Sequence, residues 1–290
     1  MAEIDFAAPT SVSGAVKALA SAKGQAKVLA GGTDLLVQLR AGRLHPALIV
    51  DIKHIPDLRK SRKEKGGWRI GAAMSGAELG ELADLRAAWP GVLEGLELIG
   101  STQIQGRASL GGNLCNGSPA ADSVPGLIAA DATCVIAGPK GTREAKVEDI
   151  VIGPGQTSLK KGEFIVSFFL PKRPKHAGDA YLRFIPRTEM DIAVVGAAVS
   201  LSLNSKGVCK DARVSLGAVA PRPLLVKDAA DALIGTTVDE AALKALAAAA
   251  SAACNPIDDK RGTIAYRIQV AGVLARRAAV IALERARANA

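Results

Sequence analysis

The chain has 290 residues, 49% hydrophobic, 22% charged and only 3% aromatic, with a formal net charge of +9. That length buries a sizeable core and favours two modest domains, while the composition excludes the disordered and fibrous classes. So few aromatics leave little for base stacking, which counts against sequence-tolerant binding of single-stranded nucleic acid.

A turn at Pro9-Thr10 leads to Ser11 and Ser13, capping residues for a helix over 13–22 with Val16 and Leu19 on its apolar stripe. Residues 27–30 read as a short buried strand that runs into the pair Gly31-Gly32, with a helix from 34 to 40. Strands are expected at 48–52 and 68–72, helical spacing at 75–85, and a further helix from Pro90 to about Ile99. A polar segment, 100–107, delivers the chain to a second pair, Gly111-Gly112. Then Ser118-Pro119-Ala120-Ala121-Asp122 precedes a helix at 124–130. Strands at 133–138 and 163–170 lead to the clearest punctuation, Pro171-Lys172-Arg173-Pro174-Lys175. The domain boundary is placed there, giving 1–174 and 175–290. Strand signals at 191–203 and 209–219 and alanine-rich helices at 239–253 and 264–288 follow, so the expected class is α+β.

The glycine pairs carry the chemistry. Each ends an apolar run and is followed by Thr33-Asp34 or Asn113. Paired glycines reach left-handed conformations and let successive N–H groups converge on an anion, so two such loops can clamp a diphosphate. A strand, a glycine turn and a helix in that order add exposed N–H groups at one point. Neither G-x-G-x-x-G nor G-x-x-x-x-G-K-S/T occurs, so any dinucleotide is held by a fold other than those two. Asp34 reads as a helix cap or a ligand contact, Asp122 as a cap or an acceptor from a cofactor hydroxyl or ring N–H, and Arg107 as a surface charge or a phosphate counter-ion. The segment 181–193 sets two arginines and two acids before an apolar strand, as salt-bridged edge residues or as a cation beside an electron-rich ring. The basic run 59–65 and Arg276, Arg277, Arg285 and Arg287 read as solvated faces or a docking surface.

Cys115, Cys134, Cys209 and Cys254 have no C-x-x-C spacing and His45, His54 and His176 are isolated, so no metal or iron–sulfur site is expected in the chain. No triad or nucleophile elbow is present, which leaves redox chemistry to a bound cofactor. The start lacks a basic-then-apolar leader and no run is long enough to span a bilayer, so the cytoplasm is the default compartment.

Taken in order, 30–36, Gln103 through Asn113, 119–122, Gly153-Pro154-Gly155 and 190–193 make the chain resemble the FAD-binding medium subunits of the molybdenum hydroxylases, the group of xanthine dehydrogenase and the carbon monoxide dehydrogenase flavoprotein. The resemblance implies an FAD-binding domain of two α/β subdomains, of the vanillyl-alcohol-oxidase type, then a smaller α+β domain of the carbon monoxide dehydrogenase flavoprotein C-terminal type. It implies an FAD site formed by Ala30, Gly31, Gly32, Thr33, Asp34, Ser109, Gly111, Gly112, Asn113 and Asp122, with Ile165 near the adenine or flavin and Arg183, lysine in some relatives, near the isoalloxazine. It further implies a large molybdopterin subunit, a small subunit with 2Fe–2S clusters, a dimer of heterotrimers, and electrons passing from the clusters through FAD to an external acceptor. A free-standing flavin reductase, and a basic scaffold whose glycine pairs are only turns, are the competing readings.

Overall fold

The structure is a computed structural model that describes residues 4–64 and 66–289. Residues 1–3, which begin the segment read for a leader, and Lys65 of the basic run lie outside the described residues. The chain opens with β1 (Asp5–Ala7), α1 (Val12–Ser21), β2 (Ala26–Leu29), α2 (Leu35–Arg40) and β3 (Leu48–Asp51). β3 lies between β1 and β2 and runs parallel to both. Helix α1 starts where the hydroxyl of Ser11 accepts from Gly14 N, and buries Ala15 and Leu19.

β4 (Ser61–Glu64) and β5 (Gly67–Gly71) follow. Next come six short helices: α3 (Gly76–Gly80), α4 (Ala83–Ala88), α5 (Pro90–Glu97), α6 (Thr102–Gln105), α7 (Leu110–Cys115) and α8 (Ser123–Ala129). β6 (Thr133–Gly138), β7 (Gly141–Lys146), the small hairpin β8 (Val151–Gly153) and β9 (Gln156–Thr157), and β10 (Phe164–Pro171) complete this half. Its sheet is antiparallel, in the order β4–β5–β10–β6–β7. Two departures from expectation have local causes. The helical signal at 75–85 is broken in two: a capping box between Ser75 and Glu78 starts α3, which ends at Gly80, a poor helix former. Residues 61–64 are an edge strand, and the charges of the strand and of the turn before it are matched by Arg59–Glu78 (2.8 Å), Lys60–Asp57 (3.5 Å), Arg62–Glu64 (2.8 Å) and Lys63–Asp84 (2.5 Å).

The remaining chain forms β11 (Ala177–Phe184), β12 (Val195–Leu203), β13 (Cys209–Gly217) and β14 (Leu224–Leu225), antiparallel in that order. They are followed by α9 (Lys227–Asp231), α10 (Glu240–Ala252) and α11 (Ile264–Ala288). Alanines at 271, 275, 278, 279, 282 and 286 give α11 a flat face that packs on β11 and β12. The strand expected from 191 begins at 195; Ile192 is exposed in the loop before it. β11 was not expected as a strand at all.

The seam between the two halves joins a small apolar cluster of Leu98, Ala129, Tyr181 and Ala198 to a set of buried polar contacts. Gly91 N of α5 donates to the buried Asp179 Oδ2 (2.8 Å), Tyr181 N donates to Glu94 (2.8 Å), and Arg173 pairs with Asp179 at 3.0 Å while lying 5.7 Å from the Trp89 ring centroid. Among the described residues, no helix is long and apolar enough to cross a membrane.

Candidate functional site: a cleft between two glycine loops

β2 ends in the first loop, on one side of a cleft of about 870 Å³. Gly31 packs flat on the Arg107 carbonyl; a Cβ there would lie far inside van der Waals contact with that oxygen. Gly32 turns the chain at φ +81°, and its carbonyl accepts from Leu36 N at 3.0 Å. Among the described residues, the N–H groups of Gly31, Gly32, Thr33 and Asp34 donate to no protein acceptor. Such a run of unspent donors is an anion nest. Asp34 occupies the cap position of α2, but its side chain makes no capping hydrogen bond. It faces solvent in the cleft wall, and the protein packed around it raises its pKa by desolvation.

The second pair, expected as a loop, lies instead in the first turn of α7 and is wired differently. Gly111 N donates to Ala72 O (3.1 Å), Gly112 N to Ser109 Oγ (3.1 Å) and Asn113 N to Ser109 O (2.9 Å), so this turn's donors are already used. Ser109 is buried as the cap of α7. A Cβ at Gly111 would lie 2.6 Å from Ala72 O, whereas one at Gly112 would meet only Ser109 Oγ, at 3.2 Å. The carboxamide oxygen of Asn113 accepts from Ser123 N (3.2 Å) and Oγ (2.7 Å), which fixes α7 to α8. Gln38 Nε2 donates to Asn116 Oδ1 (3.0 Å) and so ties α2 to the C-terminal end of α7.

Ten of the twelve residues singled out from the sequence line this one cleft: Ala30, Gly31, Gly32, Thr33, Asp34, Ser109, Gly111, Gly112, Asn113 and Ile165. Ile165 is buried in β10 beside a bulge and presents an apolar wall. Arg107 is exposed, and its contribution is the main-chain carbonyl under Gly31. Sequence reasoning missed Ala72, Gln38 and Asn116 in the wall, and a set of lysines at one end. The lysines were visible as unpaired charges beside strands, but nothing in the chain order brings 23–27 next to 160–161.

Asp122 and Arg183 do not line the cleft; they meet each other across the seam. Asp122 Oδ2 accepts from Arg183 Nη1 at 2.9 Å and Oδ1 from the Tyr181 hydroxyl at 3.0 Å, while the same Arg183 nitrogen donates to Leu98 O at 2.6 Å. Ile99, next to Leu98, is in the cleft wall, so this cluster stands directly behind it. Burial pushes the Asp122 carboxyl up to about 6 against the opposing pull of Arg183 and Tyr181, and pushes the Tyr181 hydroxyl well above its usual value. Asp122 thus neither caps α8 nor faces the cleft.

A cleft of this volume, with free N–H groups on one wall and Val28, Ile52, Ala72 and Ile165 on others, fits a long anionic ligand with apolar rings. Among the described residues no cluster of His, Cys, Asp or Glu could hold a metal.

Residues 2–173 match the family model for the FAD binding domain in molybdopterin dehydrogenase, and residues 180–281 match that for the CO dehydrogenase flavoprotein C-terminal domain. The chain is 34% identical to the carbon monoxide dehydrogenase medium chain of Afipia carboxidovorans over 286 residues, covering 99% of this chain and 97% of that one. It is 36% identical to the xanthine dehydrogenase FAD-binding subunit of Escherichia coli over 202 residues, 69% of each. Its structure superposes on carbon monoxide dehydrogenase from Hydrogenophaga pseudoflava, in a form lacking the Mo-pyranopterin moiety, with a TM-score of 0.93, 33% identity and 98% of both chains covered. The motif order, the cleft and these matches together place the chain in the family of FAD-binding medium subunits of the molybdenum hydroxylases, as an oxidoreductase subunit.

Proposed function

We propose that the cleft holds FAD with its diphosphate against Gly31, Gly32, Thr33 and Asp34, and that the chain passes electrons from the 2Fe–2S clusters of a small partner subunit to an external acceptor. The observation that carries this reading is the set of four consecutive backbone N–H groups with no protein acceptor among the described residues, set in the wall of a cleft of a volume that suits a dinucleotide. Ala30, Ser109, Gly111, Gly112 and Asn113 shape the walls around that anion, and Ile165 offers a ring an apolar face. Arg183, held by Asp122, supplies positive charge behind the wall at Ile99, where it favours a reduced, anionic ring. Bound FAD supplies the redox chemistry itself. The residues of this chain bind the anion, orient the rings and keep water from them. In this reading 1–174 is the FAD-binding domain and 175–290 the C-terminal domain, β10 and β11 lying in different sheets on either side of that boundary. A large molybdopterin subunit oxidises the substrate, and the assembly is a dimer of heterotrimers.

The test is an absorption spectrum of the purified chain, with chromatography of whatever flavin is released on denaturation. Stoichiometric FAD without iron or molybdenum is the expected result. A colourless chain that takes up no added FAD overturns the proposal.

A further inference from the structure

The far end of the same cleft carries charge that the glycine loop does not explain. Lys23, Lys27, Lys160 and Lys161 all line it. Lys161 Nζ donates to Ala22 O at 3.0 Å, and among the described residues none of the four ammonium groups has a carboxylate within 4.0 Å. Glu163, which also lines the cleft, is already engaged: Arg143 donates to it at 2.9 and 2.8 Å and Lys160 N at 2.8 Å. The basic run at 59–63 behaves in the opposite way, since each of its cations has an acid at 3.5 Å or less. Part of the excess of +9 therefore stands unpaired in the lining of a cleft whose walls include Val28, Ile52, Phe164 and Ile165. Low-dielectric walls around one sign of charge focus the field and raise the local concentration of the opposite ion.

Lys27 and Gly31 sit four residues apart on β2 and its extension, about 13 Å at strand spacing. Lys23 and Lys160 lie further out, before β2 and before β10. The lysines and the nest therefore act on an incoming anion in sequence rather than on the same phosphate pair. We infer that Lys23, Lys27 and Lys160 form a capture rim that draws a diphosphate-bearing dinucleotide into the cleft and selects it over an uncharged flavin, the glycine loop holding it afterwards. This rests on the reading that the cleft binds FAD. Steering of this kind sets the rate of association and leaves the rate of release to the contacts inside.

The experiment uses the full chain freed of flavin, with FAD uptake followed by fluorescence quenching over a range of salt. The triple substitution Lys23→Gln, Lys27→Gln and Lys160→Gln is expected to slow FAD association about tenfold at low salt. It should also flatten the salt dependence, leave dissociation unchanged and leave riboflavin uptake unchanged. The two proteins should converge at high salt, where the rim is screened. A control with Lys206→Gln, Lys210→Gln and Lys244→Gln, exposed lysines of the other half, removes the same net charge away from the cleft and should associate like the parent. A rim variant with the parent's rate and salt slope, or a control that slows equally, overturns the capture rim alone. A parent chain that takes up no FAD at all overturns both this inference and the proposed function.

Discussion

The two glycine loops share a dipeptide and do opposite things with it. The first leaves four consecutive N–H groups unspent, and its Gly31 is locked onto the backbone of residue 107. The second spends its donors on Ala72 and Ser109 and leaves Gly112 with the Ser109 hydroxyl as its one close neighbour. The lesson is that a glycine pair signals either of two needs, free donors or close approach, and only the neighbouring acceptors say which.

Substitutions can break this contrast, beginning with the most damaging. Gly31→Ala forces a methyl into the Arg107 carbonyl, and neither backbone can yield without parting the loops. Loss of flavin together with a drop in stability of about 3 kcal/mol or more is expected, within the range for overpacking and disrupted backbone contacts; differential scanning calorimetry and flavin occupancy check it. Gly112→Val should behave differently, emptying the cleft of flavin with little change in melting temperature. A variant with full flavin occupancy contradicts the placement of that wall.

At the seam, Asp122→Ala strips Arg183 of its buried partner and should cost about 3 kcal/mol. The pH dependence sharpens the point. The Asp122 and Asp179 carboxyls are both pushed up to about 6 by burial, from an ordinary 3.8. The native state then holds these protons more tightly than the unfolded chain, so their contribution to stability is complete below about pH 4 and lost as pH rises through 6. Glu163 has the reverse sign: Arg143 holds it down at about 2, so its contribution is present above pH 4.5 and lost as pH falls. Denaturant titrations between pH 3 and 7 should show Asp122→Asn flattening the decline toward neutral pH, and Glu163→Gln flattening only the acid limb. The smallest effect is expected of Ser109→Ala, about 1 kcal/mol for a lost cap, with Gly112 N freed into the cleft.

Most of the layout was legible because it rests on local signals. The apolar run at 27–30 with glycine after it, the serine cap before α1 and the alanine face of α11 each announce an element without help from elsewhere. What was not legible depends on partners distant in sequence. β11 reads Ala-Gly-Asp-Ala-Tyr-Leu-Arg-Phe, with an aspartate and a glycine inside a buried strand, a pattern no alternation rule accepts. It is accommodated as a strand because Gly91 N donates to Asp179 and the Arg173 charge lies beside it, and because Gly178 has no side chain to hold α11 away. The hydrogen bonds that Asp122 makes could not be read from its own segment, because Tyr181 and Arg183 lie about sixty residues downstream, on that same unrecognised strand. The lysine rim was hidden for the same reason, its two halves being more than 130 residues apart.

The contact that closes the cleft, Gly31 against residue 107, is made on the second side entirely by main chain. Nothing about the arginine side chain enters into it, and the position is free to accept almost any amino acid that keeps the backbone path. The tightest joint of the site therefore leaves its mark on one partner's identity and none on the other's. A survey of tolerated substitutions should find residue 31 frozen and residue 107 drifting, though the two touch.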